Sequence, residues 1–233
     1  MNTVLAPALA VLAAYLVGSM AFAVIVSRVF GLSDPRTYGS GNPGATNVLR
    51  SGHKGAAVLT LLLDALKGYL PVLAVQLFGA PYGLGEGTAA AVALAAFLGH
   101  LWPVFFKFKG GKGVATAAGA IFGLNPWLGL ATLATWIIIA AFFRYSSLAA
   151  LVSAAFAPFY QLLIWGGGPA AGAVTLMGLL LVWRHSGNIR KLLQGTESKL
   201  FQKKGAGAAH PPAQHAHSSK HGHPSHSKRG HKP

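Results

Sequence analysis

Long apolar runs separated by short polar connections dominate the chain. They lie at about residues 4–26, 55–79, 87–106, 113–125, 127–143, 147–165 and 169–184. A helix needs roughly 20 apolar residues to cross the hydrocarbon core of a bilayer. The fourth and fifth runs fall short, which predicts tilt, partial re-entry or displaced boundaries. The pattern as a whole predicts an all-α, polytopic membrane bundle of about seven helices. The first run lacks a basic flank, exceeds a signal peptide's apolar segment and is followed by further spans, so it reads as a retained helix. Small residues at 89–96 and 115–120 let helices approach closely where hydrophobicity alone does not drive association.

Charge sharpens this picture. Hydrophobic residues make up 53% of the 233 and charged ones only 10%, against about 25% in soluble domains. Mean hydropathy is +0.50. The 19 Lys and Arg against four Asp and Glu suggest nucleic acid at first sight, but their placement says otherwise. Arg28, Arg36, Arg50 and Lys54 follow the first run, and Lys107, Lys109 and Lys112 the third. Arg144 follows the fifth, and Arg184, Arg190 and Lys191 the last. The connections at 80–86, 123–127 and 165–169 hold no Lys or Arg. This alternation is the positive-inside bias. It predicts an outside N-terminus, a cytoplasmic C-terminus and every basic connection on the cytoplasmic face. Basic patches interleaved with exposed aromatics, which nucleic acid would require, are missing.

Two features fall outside the pattern. Asp64 and Lys67 sit mid-run at i, i+3 spacing and share a helix face. Intramembrane ionisable residues mark function or a polar cavity, and a self-neutralised structural pair is the equal alternative. From about residue 205 the chain is Gly, Ala, Pro, Ser, His and Lys, a composition that cannot bury a core. It divides the chain into a membrane domain, 1–204, and a disordered cytoplasmic tail, 205–233, whose histidines read as a solvated basic tract beside anionic lipid rather than a metal trap.

Three polar, glycine-rich segments lie on the basic side. They are Gly39-Ser40-Gly41-Asn42-Pro43-Gly44-Ala45-Thr46-Asn47 with Arg50, Phe108-Lys109-Gly110-Gly111-Lys112-Gly113-Val114-Ala115-Thr116, and Arg184-His185-Ser186-Gly187-Asn188-Ile189-Arg190. Backbone N–H groups in glycine turns, beside hydroxyls, amides and cations, bind anions. Phosphate is the expected anion. Ser147, beside Arg144, fits either a ligand contact or a helix cap.

Familiar motifs are excluded. The literal G-x-G-x-x-G at Gly39–Gly44 lacks a strand and holds Pro43 in the turn. The Gly110–Gly113 stretch has Gly113 where a phosphate loop needs Ser or Thr, and Phe106 where it needs glycine. There is no G-x-S-x-G elbow, no H-E-x-x-H site and no His-x4-Asp pair. Asp34, Asp64, Glu86 and Glu197 are too scattered for a carboxylate-rich magnesium site. Chemistry then rests on positioning and electrostatics acting on a reactive substrate. A transporter of organic phosphates is the competing class, but no inverted repeat is visible and the polar motifs cluster at one face.

In order and spacing, G-S-G-N-P-G-A-T-N-V-L-R, G-H-L-W-P-V-F-F-K-F-K-G-G-K-G-V-A-T and R-H-S-G-N-I-R-K-L-L-Q-G-T-E resemble the three motifs of the bacterial acyl-phosphate:glycerol-3-phosphate acyltransferases, the PlsY family. The likeness covers residues 1–200. It implies a multi-pass enzyme of the bacterial inner membrane that needs no cofactor or metal. Such an enzyme moves a fatty acyl group from acyl phosphate to the sn-1 hydroxyl of glycerol 3-phosphate, the first acylation of phospholipid synthesis. Lysophosphatidic acid and inorganic phosphate leave. Its partners are these two substrates and membrane lipid, with an acyl-phosphate-forming enzyme upstream. By resemblance, the loop containing Ser40, Gly41, Asn42, Thr46 and Asn47 and the turn Gly110, Gly111, Lys112, Gly113 cradle the acyl-phosphate head. Arg50, Lys109, Ser147, His185 and Asn188 contact glycerol 3-phosphate, with Lys109, His185 and Ser147 nearest the chemistry. His185 or the donor phosphate takes the hydroxyl proton, and the sequence leaves both open.

Overall fold

The computed structural model describes residues 4–200; the 205–233 tail lies outside them. Those residues form ten helices and no strand: α1 Leu5–Gly18, α2 Phe22–Val29, α3 Ala45–Leu49, α4 Lys54–Phe78, α5 Glu86–Leu101, α6 Val114–Leu124, α7 Pro126–Phe143, α8 Ser146–Tyr160, α9 Pro169–Arg184 and α10 Ser186–Leu193. Four stretches are long and apolar enough to cross a membrane, or five if the bent pair α1–α2 is one span. All seven apolar runs are helical.

Burial is arranged for a lipid surround. The interior is filled largely by alanine, with Ala93, Ala96, Ala120 and Ala149 fully enclosed, while Phe78, Trp127, Phe142 and Leu163 face outward. Small residues set the helix contacts. Gly18 of α1 lies against Ala96, and Gly99 of α5 against the Tyr15 carbonyl and Gly18. Gly68 of α4 lies against Thr116 and Ala120, and Gly119 of α6 against Ala65. Without a hydrophobic drive inside lipid, this backbone-to-backbone approach supplies the dispersion that holds α1 to α5 and α4 to α6.

The expected single helix over 4–26 is corrected: α1 and α2 meet at a bend of 43°. A Gly-Ser pair is a common cause of such a kink, and Gly18-Ser19 stands there, with the Ser19 hydroxyl donating to the Tyr15 carbonyl at 2.8 Å. The break takes the Met20 carbonyl out of the helical ladder. Lys67 donates to it at 2.7 Å.

The short fourth run is confirmed as α6, 11 residues, about 16 Å of helix at 1.5 Å per residue. Asn125 closes it and caps α7, its side chain accepting from the N–H groups of Trp127 and Leu128 at 3.0 and 3.2 Å. The stretch predicted as 147–165 carries Pro158 and ends in a π-helical segment, Gln161–Trp165. Proline removes a ladder bond, and such segments accommodate the shift.

Candidate active site

The first motif is a loop built around one side chain. Asn47, 2% exposed, accepts the Ser40 N–H through Oδ1 at 3.0 Å, and its amide donates to the carbonyls of Pro35 and Tyr38 at 2.6 and 3.1 Å. Its polar capacity is thus committed to the loop itself, so Asn47 shapes the cradle from within. Gly41, at φ +67°, turns the chain where a side chain would be strained. Ser40, Thr46 and Arg50 are left on the exposed surface and Asn42 is half-buried. The Arg36 guanidinium chelates Asp34 (2.6–3.1 Å), holding that carboxyl below its usual range and pinning the loop's entry.

The second motif is a turn pressed onto the end of α5. The Gly111 N–H donates to the His100 carbonyl at 3.2 Å. A Cβ on Gly110 would strike the carbonyls of His100 and Leu101, and one on Gly111 would strike the His100 ring. Gly111 also approaches the Pro43 carbonyl, which brings the first and second motifs together. Gly113 then opens α6, whose first N–H groups have no carbonyl within the helix and carry its positive end. The opposite side of the turn is clasped by Arg184, which donates to the Gly110 carbonyl at 3.0 Å and the Gly111 carbonyl at 2.9 and 3.1 Å. Arg184, read in the sequence as flanking the phosphate, instead fixes the turn.

The two lysines of this motif separate. Lys112 donates to Asn188 Oδ1 of α10. Lys109 is exposed, and no hydrogen bond ties it to that cluster among the described residues. Burial presses the Lys112 ammonium down to about 8, Glu197 opposing that shift and Lys191, Arg50 and Arg184 adding to it. Lys112 thus stands among three further cations and one carboxylate. The field suits polyanions.

The third motif completes the cluster. Asn188 Nδ2 and Ser147 Oγ both donate to Glu197 Oε1 at 2.7 Å. Ser147 is therefore not a cap: α8 begins after Tyr145, and the hydroxyl points to the carboxylate. Thr46 and Ser146 hydroxyls lie 3.4 Å apart, and Arg50 donates to Ser198 at 2.6 Å. His185 is buried, its Nδ1 2.8 Å from the Leu181 carbonyl. A carbonyl only accepts, so Nδ1 bears the proton and Nε2 a lone pair. Burial pushes this imidazole down to about 4, and it is neutral near pH 7.

One continuous set of contacts therefore joins all three motifs at the ends of α6, α8 and α9. Glu197 was missed as a site residue, although it ends the third quoted motif and is one of only four acidic residues. Its position in the irregular stretch after α10 hid it. The roles of His100 and Arg184 depend on carbonyl contacts that no side-chain pattern signals.

Comparison with known proteins gives the family that carries these motifs. The family described as glycerol-3-phosphate acyltransferase matches residues 8–195. The chain is 64% identical over 204 residues to a glycerol-3-phosphate acyltransferase of Ralstonia nicotianae, spanning 88% of this chain and 99% of that one. It is 63% identical over 206 residues to one of Ralstonia pickettii, spanning 88% and 100%. The fold matches the crystal structure of PlsY, an integral membrane glycerol 3-phosphate acyltransferase, in its glycerol 3-phosphate form. There the TM-score is 0.78 at 38% identity, over 84% of this chain and 96% of that one. Its lysophosphatidic acid form matches with a TM-score of 0.76 at 37% identity. From Ala8 to Gly195, covering every helix that carries the site, the chain belongs to the glycerol-3-phosphate acyltransferase family.

Proposed function

We propose that this protein transfers a fatty acyl group from an acyl phosphate to the sn-1 hydroxyl of glycerol 3-phosphate at the cytoplasmic face of the bacterial inner membrane. The observation that carries the reading is the convergence of Arg50, Lys112, Ser147 and Asn188 beside the Gly110–Gly113 turn. Two polyanions must meet for this reaction. The cations offset their repulsion, and the glycine turn with the α6 N-terminus offers N–H groups to the donor phosphate. Ser147 and Asn188, oriented by Glu197, hold glycerol 3-phosphate. Ser40, Gly41, Asn42 and Thr46 line the donor side on the frame that Asn47 supplies. Lys109, exposed at the turn's entrance, meets incoming phosphate.

The mixed anhydride is reactive without a covalent enzyme intermediate. The sn-1 oxygen attacks the acyl carbon, the C–O bond to phosphate breaks and phosphate departs with the electron pair. An imidazole pressed to about 4 is a feeble base, which supports proton transfer to the donor phosphate, with Nε2 of His185 accepting a hydrogen bond from the sn-2 hydroxyl and so orienting glycerol 3-phosphate. The membrane domain, 1–204, suffices in this reading, and activity survives deletion of 205–233.

The test is phosphate release from purified protein given palmitoyl phosphate, with and without glycerol 3-phosphate, and palmitoyl-CoA as the alternative donor. Release that depends on glycerol 3-phosphate, with lysophosphatidic acid formed and the thioester unused, is the expected result. Binding of glycerol 3-phosphate without turnover would overturn it in favour of transport.

A further inference from the structure

Asp64 and Lys67, enclosed within the bundle, lie outside the three motifs, yet their contacts run through His100 and Thr116 to the turn of the second. Asp64 and Lys67 pair at 2.8 Å on α4, both side chains almost fully buried. The ammonium also holds the Met20 carbonyl at the α1–α2 break. Asp64 Oδ1 lies 3.6 Å from Nδ1 of His100 on α5, and the same nitrogen lies 3.2 Å from the Thr116 hydroxyl on α6. His100 then reaches the glycine turn twice. Its carbonyl accepts the Gly111 N–H, and its ring packs against the Gly111 Cα so closely that no side chain fits between.

An ion pair inside a membrane is expensive, and apolar side chains of similar volume can replace a merely structural one without loss. What apolar side chains cannot do is orient an imidazole. The Thr116 hydroxyl within hydrogen-bond reach of Nδ1, with the Asp64 carboxylate just beyond it on the same side, sets the tilt of the His100 ring. We propose that Asp64, Lys67, His100 and Thr116 are positioning residues for the Gly110–Gly113 turn, transmitting a fixed geometry from the bundle interior to the N–H groups that receive the donor phosphate. The inference rests on the reading of that turn as the acyl-phosphate cradle. None of the four touches a reacting atom.

Steady-state kinetics on purified, monodisperse variants separates positioning from folding. Thr116→Val keeps the shape and removes the hydroxyl, while Thr116→Ser keeps the hydroxyl. The double variant Asp64→Leu, Lys67→Met replaces the pair without leaving a lone charge. Thr116→Val and the double variant should each raise KM for palmitoyl phosphate about fivefold or more, the factor for one lost hydrogen bond. KM for glycerol 3-phosphate should stay within about twofold, and Thr116→Ser should match the parent. Folded Thr116→Val with unchanged KM for both substrates overturns the inference. So does loss of folding in Thr116→Val and the double variant alike, because the network would then hold the bundle and not the turn. If only the double variant fails to fold, the comparison of Val with Ser decides. Lys112→Ala, measured alongside, guards the underlying reading. If it is disabled while Thr116→Val is normal, only the network falls; if it is itself normal, the reading of the turn falls.

Discussion

Lys112 is the residue whose environment says most about its work. Its ammonium is half-buried among other cations, which is why it loses its proton near 8 rather than at the usual lysine value. Below that pH it is charged and attracts phosphate; above it, the neutral amine does not. KM for the acyl-phosphate donor should therefore rise as pH climbs through about 8. A guanidinium stays charged throughout, so Lys112→Arg should lack that rise, whatever its absolute rate; a KM for the parent that stays flat from pH 7 to 9 would refute the assignment. His185 gives a contrasting prediction. Its buried ring is already neutral at physiological pH, so His185→Asn should lower the rate through lost orientation while leaving the shape of the pH–rate profile unchanged. A strict general base would cost about 10²–10⁴-fold and remove a limb of the profile. At this scale the sequence named Lys112, His185 and Asn188 by residue type and motif, and Ser147 only through the family resemblance. It could not show that Asn47 and Arg184 spend their polar atoms on backbone N–H and carbonyl groups, because that depends on where loops fold back.

Elements explain why the glycines of the second motif are not interchangeable with alanine. The turn is compressed between the end of α5 and the Arg184 clasp from α9. Gly111→Ala would force a methyl into the His100 ring, and the turn must lift to admit it. A displacement of about 1 Å from productive geometry can cost about 10²-fold in rate. Gly111→Ala should thus lose at least tenfold in kcat/KM while its helical circular dichroism stays that of the parent. Gly187→Ala is the control: a Cβ there meets nothing within 4 Å, and activity should persist. Parent-like kinetics in Gly111→Ala would show that the packing tolerates the methyl. Helix positions were legible from apolar runs, including the brevity of α6, but the fifth run, also read as short, is α7 of 18 residues, long and apolar enough to cross. The kink at Gly18-Ser19 was not legible, because hydropathy is continuous through it and only the backbone turns.

For the whole molecule, orientation follows from charge and from where the contacts gather. Thr46 with Ser146, Lys112 with Asn188, and Arg184 with Gly111 tie the connections after the first, third, fifth and last apolar runs to one end of the bundle. The same connections carry the lysines and arginines, and the opposite ones, such as 80–86, carry none. Cytoplasmic retention of basic segments then predicts the site inside the cell and the 80–86 connection outside. The chain has no cysteine, so single introduced thiols report side without background. Tyr82→Cys replaces an exposed side chain in the uncharged connection, and Gln194→Cys an exposed one just past α10. A membrane-impermeant maleimide added to intact cells freed of their outer membrane should label Tyr82→Cys at once. It should reach Gln194→Cys only after permeabilisation. The reverse pattern would put the site outside the cytoplasmic membrane, away from any cytoplasmic supply of glycerol 3-phosphate. It would also show that the basic residues were placed for substrate attraction alone.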